Sequence, residues 1–138
     1  MTGFSIYNQS GIIPFRMNNK ELQVLMITSS SGRRWVFPKG IIEDGLTPEE
    51  SAAQEALEEA GVEGDVIPRE LGVYKRKKWG GTVCVKMYAM RVSRVFDSWD
   101  EDTFRKRAWL SVEEAEERIS DPALGEILLV FASLKIQP

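Results

Sequence analysis

The sequence predicts a mixed β-sheet flanked by helices, an α/β or α+β protein, and three features predict it. Segments rich in β-branched and aromatic residues recur along the chain. Two Ser/Thr-x-x-Glu capping boxes open helical segments between and after them. Turn residues separate the segments at short intervals, with no repeat, low-complexity stretch or linker. The 138 residues suit one domain spanning 1–138, long enough to bury a core without a disulfide or metal staple.

Residues 4–15 (with Ile12, Ile13 and Phe15) and 21–29 (with Val24, Leu25 and Ile27) read as two antiparallel strands joined through Met17-Asn18-Asn19-Lys20. Ser29-Ser30-Ser31-Gly32 is a loop. Trp35-Val36-Phe37 is a short strand ended by Pro38-Lys39-Gly40. Thr47-Pro48-Glu49-Glu50 then supplies an N-cap, a first-position Pro and the Glu of a capping box, and Ala-rich sequence carries a helix over 48–60 to a Gly61 stop. Strands are expected over 72–79 and 82–92 around a Gly80-Gly81 turn, and a shorter one over 106–110. Ser111-Val112-Glu113-Glu114 opens a second helix to about Ile119, and Asp121-Pro122 opens a third to about Leu134.

The absences narrow the chemistry. Without His there is no Ser-His-Asp triad, no Cys-His pair and no imidazole metal site. Cys84 is the only Cys, which excludes an internal disulfide and a thiolate cluster, and its alternating run Thr82–Tyr88 makes it a packed core thiol. A metal would be held by oxygen ligands, which points to magnesium, manganese or calcium. No apolar run approaches the roughly 20 residues of a membrane span, and Met1–Tyr7 lacks the basic start and apolar core of a signal peptide. A cytoplasmic protein without a membrane partner is expected.

The net charge of −3 conceals a segregation. Residues 41–70 hold ten acids and one base, whereas residues 71–94 hold seven bases and no acid. A dense acidic block followed by a basic one suggests a cation site beside an anion site. On the helix 48–60, Glu55, Glu58 and Glu59 fall within about 100° of one another, and Ala52, Ala53, Ala56, Leu57 and Ala60 occupy the neighbouring arc that can dock on a sheet. Two charges about 4 Å apart near a protein surface repel by up to about 4 kcal/mol. Residues 48–62 contain no Lys or Arg to relieve the three carboxylates, and a hard divalent cation would.

These residues form the pattern Gly40-x14-Glu55-x-x-Glu58-Glu59-x-Gly61-Val62, preceded by Trp35-Val36-Phe37-Pro38-Lys39. It resembles the Nudix box, here residues 40–62, with Ala56 a weak match at an aliphatic position. Leu46 and Gln54 stand where the family has Glu and Arg. The resemblance implies a Nudix fold, an α/β/α sandwich with a loop–helix–loop catalytic element, and a hydrolase that cleaves P–O–P bonds by attack of water on phosphorus. It implies Mg2+ or Mn2+ as cofactor, Glu55 and Glu59 as metal ligands, Glu58 as general base, and a backbone carbonyl of Lys39 or Gly40 in the metal shell. Gln54 can still donate a hydrogen bond but cannot form a bidentate charged pair, and Leu46 can only pack, so weaker preorganisation and slower turnover are expected.

Leu71–Lys78, Asp97–Glu101 and Arg105–Trp109 are similar to the diphosphoinositol polyphosphate and diadenosine polyphosphate hydrolase branch. That resemblance implies phosphate contacts from Ser30, Ser31, Arg34, Lys39, Arg76, Lys77, Lys78 and Arg105, and small phosphorylated molecules as partners. The uncharged Tyr7-Asn8-Gln9-Ser10, where the branch carries a basic cluster, suits a less anionic substrate. Trp99 and Trp109 read as packing residues. The alternative function is a catalytically weakened binding or regulatory module. Nucleic acid is disfavoured, since the acidic helix would repel a phosphate backbone, and a homodimer is compatible with the sequence. One of Asp100, Glu101 and Asp102 is left as a further candidate carboxylate.

Overall fold

The computed structural model describes residues 5–134. β1 (Ile6–Asn18) and β2 (Glu21–Thr28) form the expected antiparallel pair, reversed at Asn19-Lys20 with φ of 50° and 67°. Two consecutive positive φ angles give the turn whose twist matches that of the strands. β3 (Trp35–Val36) and β4 (Lys39–Ile41) follow, then α1 (Pro48–Glu55), β5 (Val62–Val66), β6 (Gly72–Lys78), β7 (Gly81–Val95), β8 (Arg107–Ser111), α2 (Val112–Arg118) and α3 (Pro122–Ser133).

The parallel pair β1–β7 is the spine, in register from Ile6↔Thr82 to Phe15↔Arg91. Each spine strand changes its outer partner half-way. β1 pairs with β4 through Gln9–Gly11 and with β2 beyond Phe15; β7 pairs with β6 in its first half and with β5 in its second. β2 extends the sheet to β3 and β8.

Alternation sends successive residues to opposite faces, and each face has its own core. On one, Ala52, Ala56 and Ala60 dock against Ile12, Leu25, Ile27, Tyr88 and Met90. On the other, Leu124, Ile127, Leu128 and Phe131 of α3 cover Ile13, Phe15, Val83, Val85 and Met87. The expected mixed sheet between helices is the observed architecture.

The caps hold as predicted. Thr47 and Ser111 each form a reciprocal capping box with the Glu three residues on, and Asp121 accepts from Ala123 N. The predicted helix 48–60 is not α throughout: Ala56–Ala60 forms a π turn, closed by Gly61 at φ 66°. The wider turn carries Leu57 outward to 41% exposure and leaves the three alanines as the docking face. β4 and β5 were not expected; both are short and Gly-containing, and the neighbouring spine strand supplies their ladder partners. The second hairpin reverses at Trp79-Gly80 rather than Gly80-Gly81, because Gly81 already pairs with Lys78. Cys84 is half-buried rather than core, since its side of β7 is covered less completely than the Val83–Val85 side.

Candidate active site

The carboxyl residues lie at the last α-helical turn and the π turn that follows. Glu59 is only 8% exposed. Its Oε1 accepts from the backbone N–H of Lys39 at 3.3 Å, its Oε2 lies 3.8 Å from Arg105, and its carboxyl shares a hydrogen bond with that of Glu55. Burial and that bond push the Glu59 carboxyl up to about 8. Burial also raises Glu55, reinforced by the charges of Glu58 and Glu101. Two carboxyls are thus held together where each resists ionisation.

Gly40 makes this possible. A Cβ there would lie 2.6 Å from Oε1 of Glu55, so the carboxyl rests on the bare Cα. Neighbouring residues of β4 therefore serve opposite faces: Gly40 seats Glu55, while the side chain of Lys39 enters a cavity with Arg34 and Arg76.

Tertiary contacts hold the end of the helix. The carbonyls that helix termination leaves free all find donors in residues 96–107. Glu101 N donates to Glu58 O, Trp99 Nε1 to Glu59 O at 3.0 Å, Arg107 to Ala60 O at 2.8 Å and Gly61 O at 3.3 Å, and Phe96 N to Gly61 O. Arg107 also donates to Phe96 O at 2.6 Å and lies over the Trp99 ring at 4.0 Å. Trp99 is therefore a brace, and Trp109 is covered in the same way by Arg16 at 4.1 Å.

Beside Glu59 opens a cavity of about 210 Å³, lined by Gln9, Ser30, Arg34, Lys39, Arg76, Lys78, Trp79 and Arg105 among others. Its floor is the β4–β1–β7–β6 half of the sheet. The registers Gly11↔Lys39, Tyr7↔Val83 and Arg76↔Val83 place Gln9, Lys39, Arg76 and Lys78 on a common face. Burial, helped by the charges of Arg76 and Lys78, lowers the Lys39 ammonium to about 8. Gln9 is 5% exposed, and its buried Oε1 has no hydrogen-bond partner among the described residues. A second cavity of about 390 Å³ shares Arg34, Lys39 and Arg76 with the first and extends past Trp35 and Tyr74 to Arg118.

The structure gathers most of the sequence-predicted residues and sets others apart. Glu59, Lys39, Ser30, Arg34, Arg76, Lys78 and Arg105 line this cavity, and Glu55, seated on Gly40, adjoins it through its bond to Glu59. Lys77 does not: one residue out of phase with Arg76 and Lys78, it lies on the opposite face of β6. Ser31 is absent from the lining and braces the loop, its hydroxyl 3.1 Å from that of Ser29. Arg105 arrives already engaged by Glu101, Glu59 and the Thr28 carbonyl. Glu58 stands on the flank, where its Oε1 accepts from Gln54 Nε2 at 2.9 Å and it lines a separate cavity with Trp99 and Asp100. Of the candidates after Trp99, Glu101 is the one whose charge reaches Glu55 and Glu59, whereas Asp102 accepts from Trp99 N.

These residues fit a divalent cation. The donors are hard oxygens, and a cation seated on the pair would favour the ionised forms that burial disfavours. Among the described residues no three acidic side chains converge into a ready-made cage. Glu58 is turned to Gln54 and Glu101 to Arg105, so the pair alone forms the nucleus of such a site.

Fold and site together describe an α/β/α sandwich that sets a carboxyl pair beside a cavity lined by Arg34, Lys39, Arg76 and Lys78, an arrangement compatible with a phosphoanhydride hydrolase. The NUDIX domain model matches residues 8–129. Arabidopsis thaliana Nudix hydrolase 16, mitochondrial, is 39% identical over 87% of this chain and 76% of its own length. Nudix hydrolase 4 of the same plant is 35% identical over 91% of this chain and 65% of its own. Rat diphosphoinositol polyphosphate phosphohydrolase 2 is 33% identical over 71% of this chain and 55% of its own. In fold, the chain matches a Caenorhabditis elegans Ap4A hydrolase binary complex with a TM-score of 0.81, covering 92% of this chain and 96% of that one at 18% identity. The chain belongs to the Nudix family, whose hydrolases act on acid anhydrides and generally use divalent metals.

Proposed function

We propose that the protein is a Mg2+- or Mn2+-dependent pyrophosphohydrolase that cleaves a P–O–P bond in a small phosphorylated substrate. The observation that carries this is the meeting of opposites: Glu59, paired with Glu55, lines the same cavity as Arg34, Lys39, Arg76 and Lys78. A phosphoanhydride with its counter-cation matches both halves.

Glu55 and Glu59 would hold the cation, in their ionised forms, with a carbonyl of Lys39 or Gly40 as a further oxygen donor. When bound, the cation withdraws charge from phosphoryl oxygens and acidifies water. Arg34, Lys39, Arg76 and Lys78 bind the remaining phosphate oxygens, and the incoming anion offsets the burial and cationic neighbours that lower the Lys39 proton affinity. Arg105, tied to Glu101 and Glu59, orients the carboxylates and takes a share of the phosphate charge. Glu58, the general base that the family resemblance implies, accepts the proton of the attacking water once it turns from Gln54 toward the carboxyl pair, as the new P–O bond forms and the bridging P–O bond breaks. Gln54 bonds Glu58 on the flank without the charge of an Arg, and that bond must be given up for Glu58 to act as the base. Diphosphoinositol polyphosphates, dinucleoside polyphosphates and related nucleoside diphosphate derivatives are the substrate classes.

Purified protein assayed with Mg2+ or Mn2+ against those classes, ADP-ribose and nucleoside triphosphates, beside Glu58→Gln, tests the reading. Turnover by the wild type that collapses in the variant supports it. Metal-dependent binding of these ligands without turnover would favour instead a regulatory module, the reading to which Leu46 and Gln54 in the box point.

A further inference from the structure

Two buried side-chain atoms have no hydrogen-bond partner among the described residues, and they are neighbours on β1: Gln9 Oε1 and Ser10 Oγ. Gln9 lines the cation cavity. Ser10 points to the opposite face of the sheet and is 0% exposed. A hydroxyl shut away from water without a partner destabilises the fold, and alanine would fill the same place without that cost. A hydroxyl kept there calls for a use beyond packing.

The register of the sheet shows which group it faces. Ile12, two residues on and therefore on the same face, packs with Ala52 and Ala56, so Ser10 also points toward α1. Across the β1–β4 ladder Ser10 stands directly opposite Gly40. Side chains so opposed lie on one face with Cβ atoms about 5 Å apart. Gly40 has no Cβ, and the place of one is taken by the Glu55 carboxyl, whose Oε1 would lie 2.6 Å from it. The cross-strand neighbour of Ser10 is therefore the Glu55 carboxyl. On the other side, Ser10 pairs with Lys86 of β7, whose ammonium has no acceptor to offer a hydroxyl.

The Glu55 carboxyl is turned to Glu59, with which it shares a hydrogen bond. A carboxylate that ligates a cation keeps lone pairs for an O–H donor, and the bond it accepts is charge-assisted, about twice as strong as a neutral one. We propose that Ser10 is a positioning residue for Glu55: its hydroxyl donates to the ligating carboxylate and holds it on the Gly40 seat. This rests on the reading of Glu55 and Glu59 as cation ligands and adds a residue outside the acidic helix to their support. A donor that engages only the ligating carboxylate strengthens cation binding and adds nothing to the fold without the cation.

That asymmetry gives the test two signs. Ser10→Ala and Ser10→Cys, the second keeping the volume with a weak donor, are compared with the wild type by thermal unfolding across a MgCl2 series and after chelation. Hydrolysis is followed over the same series. The role predicts about tenfold weaker Mg2+ binding in both variants. Turnover should be impaired at limiting Mg2+ and recover as Mg2+ saturates. After chelation, Ser10→Ala should unfold at the wild-type temperature or up to about 4 °C above it, because the orphaned hydroxyl is gone. Wild-type Mg2+ affinity in Ser10→Ala or in Ser10→Cys, or a lower unfolding temperature of chelated Ser10→Ala, would overturn the role of Ser10 while leaving Glu55 and Glu59 as ligands. If Mg2+ does not raise the unfolding temperature of the wild type, the cation reading itself fails and the role of Ser10 with it.

Discussion

Gly40→Ala tests how the Glu55 carboxyl is held. The added methyl would stand 2.6 Å from Oε1 of Glu55, where ordinary contact requires a further ångström or so, and the carboxyl must move aside. Gly40 does not use a positive φ, so the backbone accepts Ala. The obstructing group is the end of a flexible side chain, and the cost in global stability is therefore about 1 kcal/mol or less. The cost in function is larger: a ligand carboxylate displaced by about 1 Å loses on the order of 10- to 100-fold in metal affinity or activity. Urea denaturation, Mg2+ titration and steady-state hydrolysis of the preferred phosphoanhydride measure the two effects separately. Glu55→Asp, shorter by one methylene, should partly rescue Gly40→Ala although it is harmful alone. Full activity in Gly40→Ala, or a double variant that shows only the sum of two losses, would refute the proposed seat.

Three further outcomes are expected. Arg107→Met removes the donors to Ala60 O, Gly61 O and Phe96 O and should destabilise the fold by about 2–4 kcal/mol in urea denaturation, with a lower kcat from the loosened π turn. Glu59, raised from 4.5 to about 8, binds more protons folded than unfolded between those values, so metal-free stability should fall as pH rises across that window; chemical denaturation at successive pH values, with and without Mg2+, should show the fall only without metal. Arg76→Ala should raise KM about tenfold, whereas Lys77→Ala, from the far face of the same strand, should leave it within about twofold in a paired kinetic comparison.

Local chemistry was legible in the sequence. The caps at Thr47, Ser111 and Asp121 and the stop at Gly61 depend on residues a few positions apart, and the structure places all of them as expected. The alternation of β6 was also there to be read: once the run 74–78 is a strand, Tyr74, Arg76 and Lys78 share a face that Lys77 cannot join. What lay beyond reach is set by distant chain. The π turn ends against donors supplied by residues 96–107, some 40 positions away, and no local signal in Ala56–Ala60 announces them. β4 and β5 carry weak strand sequences and exist because β1 and β7 present open edges. The selection of Glu101 over Asp100 and Asp102 follows from the path of a loop. Glycine at position 40 appeared as one letter of a motif, and only the fold shows that its missing Cβ is where Glu55 rests.

The most direct test of the central claim, that the Glu55–Glu59 pair beside the cation cavity is the hydrolytic centre, is turnover by Glu59→Gln under saturating Mg2+. Glutamine keeps the shape of the carboxyl and stays neutral, the state that burial already favours without metal, so the variant should fold with wild-type stability or better near neutral pH. The account predicts phosphoanhydride hydrolysis reduced by about 100-fold or more, together with loss of Mg2+-dependent thermal stabilisation. A Glu59→Gln protein that hydrolyses the same substrate at the wild-type rate, with the same metal dependence, would contradict it.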